Sequence, residues 1–232
     1  MSEETRTGRH RDRGLGWKPY WDERDQDHLM ISHLKRDLAG VAVPAEKVWQ
    51  IGPILDQGRE GACVGYAWRA WMNAKPIANK PERLIQARDI YLQAQLIDEF
   101  PGQEPTVSGT SVRAAAKIMV RERHLGEYVW SGSADEILTW VRTKGPLVFS
   151  TRWFDSMYEP DANGYVYPKG KVVGGHALCM FGVDENDDAR IQQSWGQDHG
   201  IDGCIKMSRK ALSYLVSQGY VSACAAAQIP RH

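Results

Sequence analysis

Apolar positions recur at helical spacing through the first half of the chain and fall into short blocks in the second. Val64, Ala67, Trp68 and Trp71 share one helical face, which predicts a buried helix over residues 63–74. Leu84, Ala87, Ile90, Tyr91, Ala94 and Ile97 form a second stripe over residues 82–98. Ser111 opens a third helix with Val112, Ala115, Ala116 and Met119 on one side and Gly126 past its end. Ser133-Ala134-Asp135-Glu136 reads as a capping box that starts a fourth, which Gly145-Pro146 stops. A shorter apolar-periodic stretch at residues 29–38 predicts one short helix upstream of these.

Beyond Pro146 the texture changes. Residues 147–151, 164–167, 176–183, 190–195 and 204–207 are short, rich in β-formers and separated by turn residues. A helix at 209–218 and a strand at 220–225 complete the chain. Helices first and strands afterwards predict an α+β fold in two lobes, not a parallel βαβ repeat.

The 29 Lys and Arg balance 29 Asp and Glu, so no global field favours nucleic acid or an anionic membrane. Hydrophobic residues at 42% and charged residues at 25% describe an ordinary globular chain. Residues 1–13 read as a polar, solvated tail, and residues 14–45 as an extended arm. The expected organisation is therefore a tail and arm over residues 1–45 and one folded domain over residues 46–232. Cys63, Cys179, Cys204 and Cys224 are widely spaced, with no CxxC pair. A zinc ribbon is not expected, and free thiols in a reducing, cytoplasmic compartment are. No metal or cofactor is implied.

Three segments carry candidate chemistry. In Asp56-Gln57-Gly58-Arg59-Glu60-Gly61-Ala62-Cys63, turn formers lead into a helix whose first turn holds the cysteine. A helix N-terminus favours thiolate over thiol, and the Gln57 amide can donate to an oxyanion. A lone cysteine is more often a small core residue. In Gly174-Gly175-His176-Ala177-Leu178, a histidine leads a buried-looking strand; of the seven histidines only His199 rivals it. In Gln192-Gln193-Ser194-Trp195-Gly196, a strand ends in an amide that can fix an imidazole tautomer and an indole that can shield that bond. The bland alternative there is a strand-to-turn junction with a core tryptophan.

Together the three segments resemble the papain-like cysteine peptidases. The order is a glutamine six residues before a cysteine, then Gly-His-Ala on a strand, then an amide-Ser-Trp-Gly turn. The resemblance covers about residues 47–225. It is closest to compact bacterial and phage members, which also carry an arm like Gly16-Trp17-Lys18-Pro19; phage origin would associate the chain with a virion. It implies a helical left lobe, a β-barrel-like right lobe and an active site in the cleft between them. It also implies a cysteine endopeptidase acting on peptide or protein substrates. Cys63 would be the nucleophile, His176 its partner and Gln57, with the Cys63 N–H, the oxyanion hole. Gln193 would orient the imidazole, with Ser194 and Trp195 in support.

The chain departs from that pattern. Gln193 stands where the family has asparagine, Val64 where it has tryptophan, and Glu60 where a disulfide cysteine often precedes the nucleophile. The first two favour a rival reading, an inactive papain-like binding or structural module. A cysteine amidohydrolase acting on cell-wall peptides is the other rival. The arm either lies in the cleft as an inhibitor or braces the lobes. Trp17, Tyr20 and Trp21, read as surface anchors, favour bracing.

Overall fold

The computed structural model describes residues 11–77 and 85–228. Helix α1 spans Met30–Asp37, α2 Cys63–Asn73, α3 Ala87–Gln95, α4 Val112–Arg121, α5 Ala134–Thr143 and α6 Arg209–Ser217. The strands are β1 Lys47–Val48, β2 Glu127–Ser131, β3 Leu147–Phe154, β4 Val172–Val183, β5 Ala189–Gln192, β6 Cys204–Met207 and β7 Val221–Gln228. The expected stripe over residues 82–98 yields only α3; its first positions, including Leu84, lie outside the described residues. The tail assigned to residues 1–13 lies outside them as far as residue 10. Its last residues are tied to the body, Arg13 to Asp56 at 2.7 Å and Asp12 to Arg59 at 2.5 Å.

Helix starts follow local chemistry. The hydroxyls of Ser111, Ser133 and Ser208 accept from the backbone N–H three residues on, filling donors that a first helical turn leaves open. The capping box at Ser133 is only half made. Glu136 does not reach back to the Ser133 N–H but accepts from the Ser131 hydroxyl at 2.8 Å.

The strands form one antiparallel sheet in the order β2-β7-β3-β4-β5-β6, with β1 on the far part of β4. The sheet path is open, so the barrel-like lobe is not a closed barrel. Strand β2 has no counterpart among the expected elements, and residues 164–167 contribute an isolated bridge from Tyr165 to Lys206 in place of the expected strand.

The sheet divides two cores. Along β4, Ala177 and Cys179 join the cluster containing Trp68, Trp71, Ile90 and Ile118. Leu178 and Met180 join the cluster containing Phe149, Trp153, Trp195 and Leu212. That alternation is the two-residue period of a strand buried on both faces. One core is helical and the other belongs to the sheet with α5 and α6, which gives the two lobes. The start of α2 meets the middle of β4, where Cys63 Sγ accepts from Ala177 N.

Candidate active site

Helix α2 begins at Cys63, preceded by Ala62, which makes no side-chain cap. Upstream, residues 55–57 pair with the turn after β5. Gln57 N donates to Ser194 O at 2.9 Å and Gly196 N donates to Leu55 O at 3.1 Å. This pairing fastens the glutamine of the first segment to the Ser-Trp-Gly turn of the third. The Ser194 hydroxyl then donates to Gln57 Oε1 at 2.6 Å, which turns the amide nitrogen toward the cleft.

His176 sits on β4 opposite Thr151 of β3. Its Nε2 lies 2.8 Å from Gln193 Oε1, so the imidazole donates there and leaves Nδ1 unprotonated in the neutral ring. That Nδ1 is buried and carries no hydrogen bond, as does Gln193 Nε2. Trp195 stacks on the imidazole with centroids 4.5 Å apart, and Trp153 meets it edge-on at 4.9 Å. The rival histidine, His199, lies behind Trp195, with Nε2 3.0 Å from Tyr158 O. The Cys63 sulfur accepts from the N–H of Ala177, the residue after His176, at 3.4 Å. The structure therefore gathers Cys63, His176, Gln193, Gln57, Ser194 and Trp195 between the start of α2, the middle of β4 and the turn after β5. Trp153 was not signalled by any motif.

Residues 14–18 lie across this site. Gly14 N donates to Gly58 O at 3.0 Å, and Gly14 O accepts from Gln57 Nε2 at 3.0 Å and from Trp195 Nε1 at 3.2 Å. The second Gln57 amide proton goes to Glu60 O at 2.8 Å. Gly16 N and Trp17 N both donate to Gly175 O at 3.0 Å, on the histidine side. On the helical side Thr110 N donates to Gly16 O at 2.8 Å and Lys18 N to Thr110 O at 3.0 Å. Of the three expected anchors only Trp17 is buried; Tyr20 and Trp21 are 39% and 65% exposed. Further along, Arg113 of α4 pairs with Asp25, and with Asp22 at 3.5 Å.

Cys63 and His176 are fully buried in the covered site, and that reverses the expected electrostatics. Burial pushes the Cys63 thiol up to about 12, against the opposing pull of backbone N–H groups from Ala177, Trp17, Val64 and Cys63. Burial likewise lowers His176 to about 3, with the Gln193 bond opposing. The expected helix-dipole activation of the thiol is outweighed, and the covered pair is thiol and neutral imidazole. All four cysteines are free thiols, with Cys179 and Cys224 buried and Cys204 half-buried. Among the described residues no helix is long and apolar enough to cross a membrane, and no group of three His, Cys, Asp or Glu side chains is placed to hold a metal.

No family model matches the chain. A stretch of 96 residues, 38% of the chain, is 29% identical to a cathepsin B-like cysteine proteinase of Caenorhabditis elegans, covering 26% of that protein. Another of 81 residues, 33% of the chain, is 37% identical to a cathepsin B-like protein of Giardia intestinalis, covering 27% of it. The matched segments thus span about a quarter of these curated relatives. In structure, 96% of the chain superposes on 98% of xylellain, a cysteine protease from Xylella fastidiosa, with a TM-score of 0.75 and 19% identity. Procathepsin L2 of Tenebrio molitor matches at 0.62 and 18% identity, over 96% of this chain and 80% of that one. The fold is papain-like, and the likeness to papain-like cysteine peptidases holds in both sequence and architecture.

Proposed function

We propose that the chain is a cysteine endopeptidase held latent by residues 14–18. The observation that carries this is the bond from His176 Nε2 to Gln193 Oε1, beside a cysteine whose sulfur accepts from the N–H of Ala177, the next residue along β4. It leaves the imidazole's Nδ1 as the free base. Once the arm lifts, water re-enters and the proton of Cys63 passes to His176. The thiolate attacks a peptide carbonyl carbon, and Gln57 Nε2 with the Cys63 N–H stabilises the oxyanion. His176 then gives its proton to the leaving amine as the C–N bond breaks. It next takes a proton from water, which attacks the thioester and frees the carboxylate product.

Latency follows from occupancy. Gly14 O takes the Gln57 proton that would serve the oxyanion, and the covering chain removes the water that an ion pair needs. The bonds on both walls of the cleft support inhibition by the arm, while the Arg113 anchor braces it, so the two roles fall to different parts of one segment. Degradation of casein by the full chain and by an arm-displaced variant tests the reading. Activity that rises with displacement and vanishes in Cys63→Ala is expected. Equal degradation with and without Cys63 would remove the nucleophile.

A further inference from the structure

Past residues 14–18 the same segment runs on to the edge of the sheet. Strand β2 ends the sheet on that side, and Leu29 closes a single parallel bridge to its Trp130. Between the arm and this edge lies a cavity of about 370 Å³. Small-molecule sites run from about 300 to 1,000 Å³. Tyr20, Trp21, Glu23 and Leu29 line the cavity from the arm, and Trp130 and Ser222 line it from the body.

The charges around it are one-sided. Three carboxylates line the cavity, and no lysine, arginine or histidine does. Two of the three are spent: Asp22 pairs with Arg24 and Arg113, and Asp25 pairs with Arg113. Glu23 is exposed, and among the described residues it has no ion-pair or hydrogen-bond partner. Trp21, expected as an anchor, lines the same cavity while remaining exposed. The face of an aromatic ring attracts a cation, and an unspent carboxylate adds to that attraction. An anion would meet carboxylates with no cation to offset them, and a neutral molecule would gain nothing from Glu23.

The arm is one wall of this cavity, so the cavity exists only while the arm is down. A ligand that needs both walls binds the covered form alone. By mass action it lowers the population in which Cys63 is reachable. From this we infer that the cavity is a regulatory site for a small organic cation, an ammonium group on an aromatic or branched apolar body, and that its occupant holds the arm over Cys63 and His176. The inference needs the covering arm but not the peptidase reading.

Three probes with one body and different charge test it on the full chain: phenethyltrimethylammonium, phenethyl alcohol and hydrocinnamate. Calorimetry measures binding, and iodoacetamide measures how often Cys63 becomes reachable; a quaternary ammonium does not consume that reagent. The cation is expected to bind more tightly than the alcohol, and the anion least. Alkylation of Cys63 should slow by the factor mass action sets, about elevenfold with the cation at ten times its dissociation constant. Glu23→Gln and Trp21→Ala change exposed side chains, and each should weaken the cation about threefold or more. Equal binding of all three probes, or no binding of the cation, overturns the ligand class. Unchanged affinity in both variants puts the cation elsewhere and overturns the site. Alkylation that stays constant or speeds up with the cation bound overturns the hold on the arm. Neither readout requires turnover, so a chain that cleaves no peptide but shows the protection would refute the peptidase reading and leave this site standing.

Discussion

The Gly14 carbonyl oxygen is gripped by two donors from the candidate site, Gln57 Nε2 at 3.0 Å and Trp195 Nε1 at 3.2 Å. Seating that carbonyl needs bare Cα atoms. A Cβ on Gly14 would come 2.0 Å from Glu60 O, and one on Gly16 would come 1.9 Å from Gly61 O. Both obstacles are backbone, so no side chain can swing aside. Gly14→Ala/Gly16→Ala is therefore expected to lift the arm, raising Cys63 alkylation and peptide turnover about tenfold or more, the effect of roughly 1.4 kcal/mol. Rates equal to those of the unaltered chain would show that residues 14–18 do not gate the cleft.

Gln57 grips the arm, and the proposed mechanism gives it a second duty once the arm is gone, donating to the oxyanion. They separate in the arm-displaced background. There Gln57→Ala is expected to lower kcat by about 100–1,000-fold, the usual cost of one oxyanion donor. The thermal midpoint should barely move. Near-normal kcat would assign the oxyanion to other donors.

The covered pair predicts a pH window. His176 is lowered from 6.5 to about 3, so unfolded chain binds the proton first as pH falls. The stabilisation from its neutral form is complete above 6.5 and is lost as pH drops toward 3. Cys63 is raised from 9.0 to about 12, so its contribution is complete below 9.0 and is lost as pH climbs toward 12. The arm-covered form should be most stable between about pH 6.5 and 9. Urea midpoints measured against pH for the unaltered chain and for His176→Ala isolate the acid limb. An identical loss in both would assign it elsewhere.

Gln193 carries one methylene more than the family's asparagine yet reaches His176 Nε2 at 2.8 Å. Its Nε2 is buried without a partner, so the amide is held by one good bond and one unfilled donor. Gln193→Ala should lower kcat in the arm-displaced background while the thiol still labels. Gln193→Asn should keep measurable turnover, because a shorter amide still offers an acceptor to the ring. Turnover unaffected by both changes would mean that another group orients the imidazole.

The local parts of this site were readable from the chain. Cys63 at a helix start, His176 at the head of an apolar strand and the Gln193-Ser194-Trp195 turn each combine a residue type with a signal in its immediate neighbours. What holds them together was not readable. Residues 55–57 meet residues 194–196 through backbone bonds, which any sequence can make. The same holds for the arm: Gly14, Gly16 and Trp17 enter the cleft through main-chain groups. One trace in the sequence is glycine facing glycine, Gly16 against Gly61 and Gly109. Strand β2 gives a weak signal although Tyr128-Val129-Trp130 are good β-formers, because the run is short and sits between two helices. Thiol activation is not legible locally: the helix terminus is a neighbourhood signal, while the burial that outweighs it is set by residues distant in sequence that pack around Cys63, Trp17, Val112 and Ala177 among them.

The Arg113 anchor gives the last test. Its side chain is 6% exposed on α4 and pairs with Asp25, 16% exposed, and with Asp22, 8% exposed. Asp22 is also committed to Arg24 through three bonds, one from its backbone N–H and two from its guanidinium. Asp25→Ala therefore strands a buried guanidinium, with Asp22 3.5 Å away as its remaining counter-charge. Breaking a buried pair from one side costs roughly 3–5 kcal/mol, whereas replacing both partners by apolar groups is often close to neutral. Asp25→Ala should lower the urea midpoint and expose Cys63 to alkylation. Arg113→Met/Asp25→Ala should recover much of both, a coupling that a double-mutant cycle with Arg113→Met and Asp25→Ala reads directly. If the two single changes simply add, the pair does not fasten the arm, and the cleft bonds of residues 14–18 hold it alone.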